Sequence, residues 1–366
     1  MKARILLGIL SSVVFVALLL RGVNLADLLQ HILSLNVLFL IPAMAVYFVG
    51  VWLRSIRWRR LLEPVADIPT SRLFAVELIG FGVNNVMPVR VGELVRAWLL
   101  MRSHGVRAAA TIGSIVVERI LDGLFLCMIL VVGLLSLPLD EWMRQGVILA
   151  ATVFGLGALG IVLAAIAPRH MVRLLELLLR PASEHLRALI LGHASAFLDG
   201  FAALARGRSL LVILLLTVFG WVSEASVYWL LFMGFSIPVG LGGAMLGMSA
   251  ANLATIIPSS PGYVGTFHLP LQSVLTAGYG VNPSEATAYA IVAHAVLVLP
   301  IAALGIILLA REGLSLSAVQ QRAGKLPRLR LGQTANQNRR PRKGMRAKAK
   351  ATIEQEASSP ISETSA

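Results

Sequence analysis

The sequence has 366 residues, of which 57% are hydrophobic and only 14% are charged, and its mean hydropathy is +0.81. Soluble domains carry roughly 45–50% apolar and about 25% charged residues, so this composition excludes an ordinary soluble domain and predicts a membrane protein. The formal net charge is +14, and eleven Lys or Arg with no acidic residue fall within 322–350. The single cysteine, Cys127, excludes an intrachain disulfide and a cysteine-based metal site.

Six apolar runs approach or exceed the roughly 20 residues that a helix needs to cross a bilayer. In chain order they are 5–20, 37–53, 108–137, 147–167, 210–235 and 286–310. The first run follows Lys2 and Arg4, as in a signal peptide. Arg21 and Asn24 stand where a cleavage site would have small residues, so we predict an uncleaved first span.

Two further segments, 73–101 and 239–278, are apolar enough to enter the membrane but are interrupted by Pro, Gly and polar residues. Irregular backbone at membrane depth must be buried in protein or line a wet cavity, which favours a re-entrant helical hairpin for each segment. The sequence therefore predicts an all-α polytopic fold of eight hydropathy segments, with about six full spans and two re-entrant hairpins.

The basic residues predict the topology, because short cytoplasmic loops are rich in Lys and Arg. They put both termini and the 169–208 connection in the cytoplasm. The end of the second span is assigned to the same side by Arg54, Arg57, Arg59 and Arg60. The two hairpins then enter from opposite sides, which is an inverted-topology repeat of the kind that secondary transporters use. This symmetry rests on topology alone.

We expect residues 1–312 to form one transmembrane domain with halves 1–140 and 146–312, joined by the amphipathic cytoplasmic segment 169–208. Residues 313–366 contain the basic stretch and few large apolar residues, so we predict a disordered cytoplasmic tail. Beside a membrane, such a tail favours anionic headgroups, and not nucleic acid, as its partner. The expected location is the cell membrane, with multiple passes.

The first interrupted segment carries its polar residues in FGVNNVMPVRVGELVR. Those that can end one helix and begin another are Asn84, Asn85, Pro88 and Gly92. The charged residues that follow at spacings of three, and so share a helix face, are Arg90, Glu93 and Arg96. An arginine fork binds phosphate through two parallel hydrogen bonds, and a half-helix N-terminus adds free N–H groups. The alternative is structural: Arg90 pairs with Glu93, and Arg96 reaches the membrane interface.

A second charged group, in VVERILDGLF, lies well inside an apolar run. Glu118 and Asp122 are four apart and share a helix face, with Arg119 beside them. A charge near mid-bilayer costs at least about 2.5–3.5 kcal/mol, so these groups should be paired or hydrated. Proton coupling, ligand contact and a structural tie to Arg90 or Arg96 remain open for them.

The second interrupted segment is PSSPGYVGTFH. Its non-helical backbone is predicted from Pro258, Pro261, Gly262 and Gly265, and its polar candidates for contact with a substrate are Ser260, Thr266 and His268. His268 can carry a proton near neutral pH, although a lone His in an apolar setting is more often only hydrogen-bonded. Glu224 and His294, in flanking spans, are weaker candidates of the same kind.

No cofactor and no metal site is predicted. GLGALG at 155–160 matches a dinucleotide-binding pattern, but it lies in an all-apolar run without a preceding strand. His185 and His193 are eight residues apart, with no further ligand nearby in the sequence.

Taken together, NNVMPVRVGELVRAWLL, VVERILDGL and PSSPGYVGTFH resemble the membrane region of lysylphosphatidylglycerol synthases and their stand-alone flippase-like relatives. RSIRWRRLL also fits, and the resemblance covers about residues 1–312. It implies binding or translocation of a lipid, either a charged phospholipid or a polyprenyl-phosphate-linked one. The residues that match are Asn85, Pro88, Arg90, Gly92, Glu93, Arg96, Glu118, Arg119, Asp122, Pro258, Pro261, Gly262 and Gly265.

The chain departs from that family in two respects. His268 stands where the family often has an acidic residue, and the soluble aminoacyl-transferase domain does not follow residue 310. The second departure argues against lysyl transfer by this chain alone. We therefore expect a flippase-like lipid transporter without catalytic residues. The alternatives are a membrane-embedded enzyme acting on a lipid phosphate, and a non-catalytic subunit that recruits a partner through its tail.

Overall fold

A computed structural model of the protein describes residues 2–87, 91–136, 141–181, 183–205, 207–257 and 259–316. These ranges contain helices and no β-strand, so the predicted all-α class is confirmed for them. The helices are α1 (Lys2–Leu19), α2 (Leu25–Leu33), α3 (Leu40–Leu62), α4 (Thr70–Val86), α5 (Gly92–His104), α6 (Ala108–Ser136), α7 (Glu141–Ile166), α8 (Pro168–Leu178), α9 (Glu184–Asp199), α10 (Gly207–Phe235), α11 (Leu241–Ala254), α12 (His268–Ser273) and α13 (Pro283–Arg311).

Each of the six predicted apolar runs coincides, over most of its described residues, with a helix, namely α1, α3, α6, α7, α10 and α13. Within the described residues, four helical stretches are long and apolar enough to cross a membrane: Val37–Leu62, Glu141–Ile166, Gly207–Phe235 and Pro283–Arg311. Their outer faces are apolar. On α7, for example, Leu149 and Leu156 are each 66% exposed. A contiguous apolar exterior of this kind is what a lipid environment accommodates.

Helix α2 is an element that the sequence analysis did not predict. It begins after Asn24, whose side chain accepts the backbone N–H groups of Ala26 and Asp27 and so satisfies donors at the helix start. Leu25 and Leu33 are 68% and 76% exposed, which makes the outer face of this short helix apolar. The N-cap followed by leucines at helical spacing was the available sequence signal.

Both interrupted segments are pairs of short helices. In the first, α4 ends at Val86 and α5 begins at Gly92; in the second, α11 ends at Ala254 and α12 begins at His268. Helices α4 and α5 pack against each other, as do α11 and α12. A π-helical turn, Val274–Gly278, follows α12. Pro88, Arg90 and Pro258 lie outside the described residues.

The predicted amphipathic connection contains two helices, α8 and α9. Helix α8 is strongly amphipathic, because Leu174 and Leu178 are exposed on one side while Arg169 and Arg173 occupy another. Helix α9 packs on α6, and an ion pair joins Arg107 to Asp199 at its end.

The centre of the molecule is built from α3, α10, α4 and α13. Helix α3 packs along α10, and α13 along α4. Phe232 stacks on Tyr289 with ring centroids 4.4 Å apart, which ties α10 to α13. Gly82 and Gly305 let α4 and α13 approach closely, since a Cβ at either position would collide with the backbone of the other helix. The two interrupted segments are thereby held beside the α3–α10 pair.

Candidate functional site: a charge-lined cavity

A cavity of about 390 Å³ opens between the two interrupted segments and the central helices. Its wall includes the aromatic residues Phe81, Phe154 and Phe267. The polar residues that line it are Tyr47, Arg54, Asn84, Asn85, Glu93, Arg119, Asp122, Trp221, Glu224, Asn252, Thr255, Tyr263 and His294. The site therefore combines an apolar body with several charged and amide groups.

Arg119 contributes an accessible cation to this wall. Its side chain is 37% exposed, although it forms ion pairs with Glu118 and, at 3.4 Å, with Asp122. Because α6 places Glu118 and Asp122 four residues apart, both carboxylates lie on the same helix face as predicted. Glu118 is fully buried and lies behind the wall, whereas Asp122 lines the cavity.

Asp122 is fixed by α3 and α10. Arg57 of α3 lies 2.5 Å from Asp122 Oδ1 and also donates to Thr217 at 3.1 Å. The indole N–H of Trp221 donates to the same carboxylate at 3.0 Å. A buried charge requires this full set of partners, because removing it from water costs several kcal/mol per ion.

Arg96 lies at the centre of a second buried group. It is only 1% exposed, and its guanidinium lies 3.2 Å from Glu77 and 3.0 Å from Glu118. Its Cζ atom sits 3.9 Å from the centre of the Trp58 ring, a cation–π contact. Ser55 donates to Glu77 at 2.5 Å. Arg96 is therefore enclosed by protein and is not among the residues that line the cavity.

A third ion pair crosses the central helix pair. Arg54 of α3 lies 2.5 Å from Glu224 of α10, and Asn252 of α11 donates to the same carboxylate at 2.9 Å. The guanidinium also lies over the Trp221 ring, 4.6 Å from its centre. This arrangement connects both central helices to the second interrupted segment at the cavity wall.

Asn84 organises the first interrupted segment. Its side-chain oxygen accepts the backbone N–H of Gly92 at 2.7 Å, and its amide group donates to Glu93 Oε1 at 3.1 Å. The other carboxylate oxygen of Glu93, Oε2, is buried and has no hydrogen-bond partner among the described residues. Glycine is required at position 92, because a Cβ there would collide with the Gly80 carbonyl and with Asn84. This glycine brings the start of α5 against α4.

The second interrupted segment is held by neutral groups. Ser12 of α1 donates to the Ser260 hydroxyl at 2.8 Å and accepts its backbone N–H at 2.9 Å. Gly265 has a φ of 85°, which favours glycine, and it packs directly against α1. His294 bonds the Gly262 carbonyl at 2.6 Å, and His268 accepts the Gly265 N–H at 3.3 Å.

The structure thus brings some predicted residues to the cavity wall and others to the layer behind it. At the wall are Asn84, Asn85, Glu93, Arg119 and Asp122. Those outside the wall are Gly92, Arg96, Glu118, Ser260, Pro261, Gly262, Gly265, Thr266 and His268. Thr266 is buried and donates to the Tyr263 carbonyl at 3.1 Å.

Several residues of the site were not predicted. Arg54 and Arg57 were used only to assign the membrane side, but both are buried in ion pairs; Arg59 and Arg60 are the exposed members of that cluster. Other unpredicted members include Glu77, Trp221 and Asn252. The spacing of Arg54 and Arg57, inside a helix that had not yet ended, was the signal that could have identified them.

Comparison with known proteins gives a consistent result. The family model described as the lysylphosphatidylglycerol synthase TM region matches residues 5–305. The chain is 27% identical to glycosyltransferase AglD of Haloferax volcanii, over 81% of this chain but only 52% of AglD. It is 23% identical to a UPF0104 membrane protein of Methanothermobacter thermautotrophicus, over 76% of this chain and 87% of that protein. A UPF0104 membrane protein of Methanocaldococcus jannaschii is also 23% identical, over 78% and 88%. No solved structure matches.

Proposed function

We propose that this protein binds and translocates a phosphate-bearing lipid. The premise is that the chain belongs to the lysylphosphatidylglycerol synthase transmembrane-region family and is an integral membrane protein. The lipid is anionic or polyprenyl-phosphate-linked. The observation that carries the proposal is a 390 Å³ cavity that combines aromatic walls with ionised side chains. Ionisable groups inside a membrane are expensive, and they commonly mark substrate paths.

Arg119 is the described arginine best suited to meet the lipid phosphate. Its side chain is 37% exposed at the cavity wall, whereas Arg96 is 1% exposed between two carboxylates. In this proposal Arg96 holds Glu77 and Glu118 in position behind Arg119. Arg90 remains a second proposed phosphate contact, and it lies outside the described residues.

An unpaired carboxylate oxygen of Glu93 restricts which lipid headgroups fit the cavity. Its Oε2 atom is buried and unpaired among the described residues, and it lies in a residue that lines the cavity. The described lining also has one carboxylate in excess, because Arg54 and Arg119 face Glu93, Asp122 and Glu224. A headgroup that presents hydroxyl or other hydrogen-bond donors beside its phosphate would satisfy Glu93. The similarity to a protein named as a glycosyltransferase makes a sugar-bearing lipid a reasonable member of that class.

We further propose that α4–α5 and α11–α12 are re-entrant hairpins in an inverted repeat. The packing of the two halves supports this correspondence: α3 packs on α4, α4 on α5 and α5 on α6, while α10 packs on α11, α11 on α12 and α12 on α13. The halves also exchange contacts, since α4 packs on α13 and α6 on α11. Two related halves around one site allow alternating access.

The orientation and domain boundaries belong to the same proposal. Both termini are cytoplasmic, the membrane is the cell membrane, and residues 1–312 make the lipid-handling domain with α8 on the inner surface. The basic stretch 322–350 meets anionic headgroups.

Native mass spectrometry of the protein, extracted gently with its own lipids, tests the proposal. We expect wild type to retain a defined phosphate-bearing lipid, and Arg119→Ala and Arg90→Ala to lose it by at least about tenfold, which corresponds to about 1.4 kcal/mol. Arg119→Lys keeps the charge but not the planar fork, so it separates phosphate recognition from folding. The matched control is Arg144→Ala, because Arg144 is 63% exposed on α7.

Equal and unselective lipid in wild type, Arg119→Ala and Arg144→Ala would overturn the proposed site. A chemically altered lipid that accumulates with turnover would instead support the membrane-embedded enzyme. Loss of function on deletion of residues 313–366, with lipid retention unchanged in every arginine variant, would support the partner-recruiting subunit.

A further inference from the structure

Two histidines meet where the second interrupted segment joins α13. His268 begins α12 and is 6% exposed, while His294 lies within α13 and lines the cavity. Their ring centroids are 4.6 Å apart. Phe267 lies against both rings, at 5.6 Å from His268 and 5.0 Å from His294. The pair is therefore enclosed in a largely apolar pocket with one member at the cavity.

Their hydrogen bonds define which nitrogen carries a hydrogen. The Gly262 carbonyl can only accept, so Nε2 of His294 donates to it at 2.6 Å. The Gly265 N–H can only donate, so Nδ1 of His268 accepts it at 3.3 Å and carries no hydrogen. His268 is consequently neutral in this structure, and its unprotonated nitrogen holds the backbone of the segment.

The turn that these bonds hold is unusual in conformation. Gly262, Tyr263 and Gly265 have φ angles of 75°, 59° and 85°. Positive φ is costly for a residue with a side chain such as Tyr263, so the surrounding bonds must maintain the turn. Besides the two histidines, Ser12 of α1 bonds Ser260, and Thr266 bonds the Tyr263 carbonyl. Loss of the bond to His268 would change the balance between this conformation and others.

The charged surroundings do not neutralise a proton on the pair. No carboxylate among the described residues forms an ion pair with either imidazole. Helices α1, α4, α10, α11 and α13, with the turn Pro261–Tyr263, pack around this region. The titratable groups with described side chains on those elements are Arg72, Glu77, Arg208, Glu224, Tyr228, Tyr263, Glu285, Tyr289 and Arg311, and α11 has none. Helices α2 and α3, which also contact α13, add Asp27, His31, Tyr47, Arg54, Arg57, Arg59 and Arg60.

Two acids on these helices already have partners. Glu224 is bonded to Arg54 and Asn252, and Glu77 to Arg96 and Ser55.

We propose that His268 and His294 form a proton-binding pair that releases the second interrupted segment when it takes up a proton. The proton moves from hydronium to Nδ1 of His268, leaving water and an imidazolium, and the bond from the Gly265 N–H is lost because both nitrogens then donate. His294, 4.6 Å away, disfavours a second proton by like-charge repulsion, so the pair binds one. The inference rests on the proposed lipid function, to which it adds proton coupling.

Hydrogen exchange of residues 259–267 in nanodiscs tests the proton switch directly. After correction for intrinsic exchange, we expect wild-type protection in this segment to fall by at least about tenfold between pH 8 and pH 5. His268→Gln keeps a neutral acceptor that does not titrate, so its protection should not change with pH. His294→Gln keeps a donor for Gly262 and removes the neighbouring imidazole, so it should shift the transition to higher pH. His170→Gln, on the exposed surface of α8, is the matched control and should behave as wild type.

A pH response that persists in His268→Gln would overturn the inference. Thermal melts at pH 8 establish that each variant is folded, and His268→Asn serves as a second non-titrating variant if the glutamine does not fold. Lipid retention, measured at pH 8 and pH 5 on the same samples, separates the two proposals. Retention that depends on Arg119 but is equal at both pH values supports lipid binding and contradicts coupling. A pH response lost in His268→Gln, with unselective lipid throughout, supports the switch and contradicts the lipid site.

Discussion

The two interrupted segments are held by different kinds of interaction. The first, around Asn84 and Glu93, is backed by Arg96 in a buried cluster of ionised side chains. The second is bonded by serine hydroxyls, two imidazoles and backbone groups, and it contains three residues with positive φ. Paired charges in an apolar interior have few alternative arrangements, whereas neutral hydrogen bonds are each worth only about 0.5–1.5 kcal/mol.

This difference suggests that the two segments have different roles at the cavity. In the functions proposed above, the first segment supplies a fixed electrostatic wall, and the second supplies a surface that protonation releases. The two halves of the proposed inverted repeat therefore need not be functionally symmetric. In this proposal, the first segment would define what binds, and the second segment would define when the site changes.

The largest expected change in stability comes from a substitution in the buried charge cluster behind the first segment. Arg96→Ala leaves Glu77 without an ion-pair partner among the described residues and removes one of the cations paired with Glu118, so it should lower the free energy of unfolding by about 3–5 kcal/mol. Thermal unfolding in nanodiscs measures it. The matched control is Arg60→Ala, because Arg60 is 50% exposed in its pair with Glu63 and should contribute no more than about 1 kcal/mol. Similar losses in both variants would show that the buried cluster is not what fixes the first segment.

A smaller but clear effect is expected in the second segment. Gly265→Ala adds a Cβ at a φ of 85° and within 2.8 Å of Phe15 Cβ, so strain and collision together should cost about 2–4 kcal/mol. Gly280→Ala has a similar φ of 68° with nothing within 4 Å, and it isolates the strain alone at about 1–2 kcal/mol. Equal destabilisation of the two variants would contradict close packing of this segment on α1.

The Arg54–Glu224 pair links the two central helices, and a double-mutant cycle measures their coupling. Because each single alanine variant leaves one buried charge unpaired, the double variant should be less destabilised than the sum by about 1–3 kcal/mol. The same cycle on Arg59 and Asp67, an exposed pair, should give about 0.2–1 kcal/mol. A coupling energy for Arg54 and Glu224 as small as that of the Arg59–Asp67 pair would mean that water reaches the central ion pair freely.

The smallest effect lies outside both segments, at the ends of α4 and α13. A hydrogen bond from Arg72 holds the pKa of Glu312 below its ordinary value. The folded pKa is thus lower than the unfolded one, so the stabilisation is present above roughly pH 4.3 and is lost as pH falls through the folded pKa.

Thermal unfolding of wild type and Glu312→Gln between pH 3 and 7 tests the Arg72–Glu312 interaction. Wild type should exceed the variant by no more than about 1 kcal/mol at pH 7, and the difference should vanish at the acidic end. A difference that grows on acidification would contradict the assignment.

The local pattern was sufficient for the helices and for their interruptions. Long apolar runs make helices because backbone polar groups in an apolar medium must bond within the segment, and Pro, Gly and Asn interrupt them wherever the chain is otherwise apolar. The same reasoning identified Glu93, Arg119 and Asp122, because a charge in an apolar helix is conspicuous by itself. The short helix α2 was not predicted, because it has neither the length nor the uniform hydrophobicity of a membrane span.

Partner choice was decided only by the tertiary structure. The sequence shows that Arg96 is charged, but its enclosure by Glu77, Glu118 and Trp58 depends on three helices that meet only after folding. Arg54 and Arg57 look like loop arginines until α3 continues past them and α10 supplies Glu224 and Trp221. Burial and pairing are properties of distances between elements that are far apart in the chain, so no local pattern could determine which arginine faces the cavity.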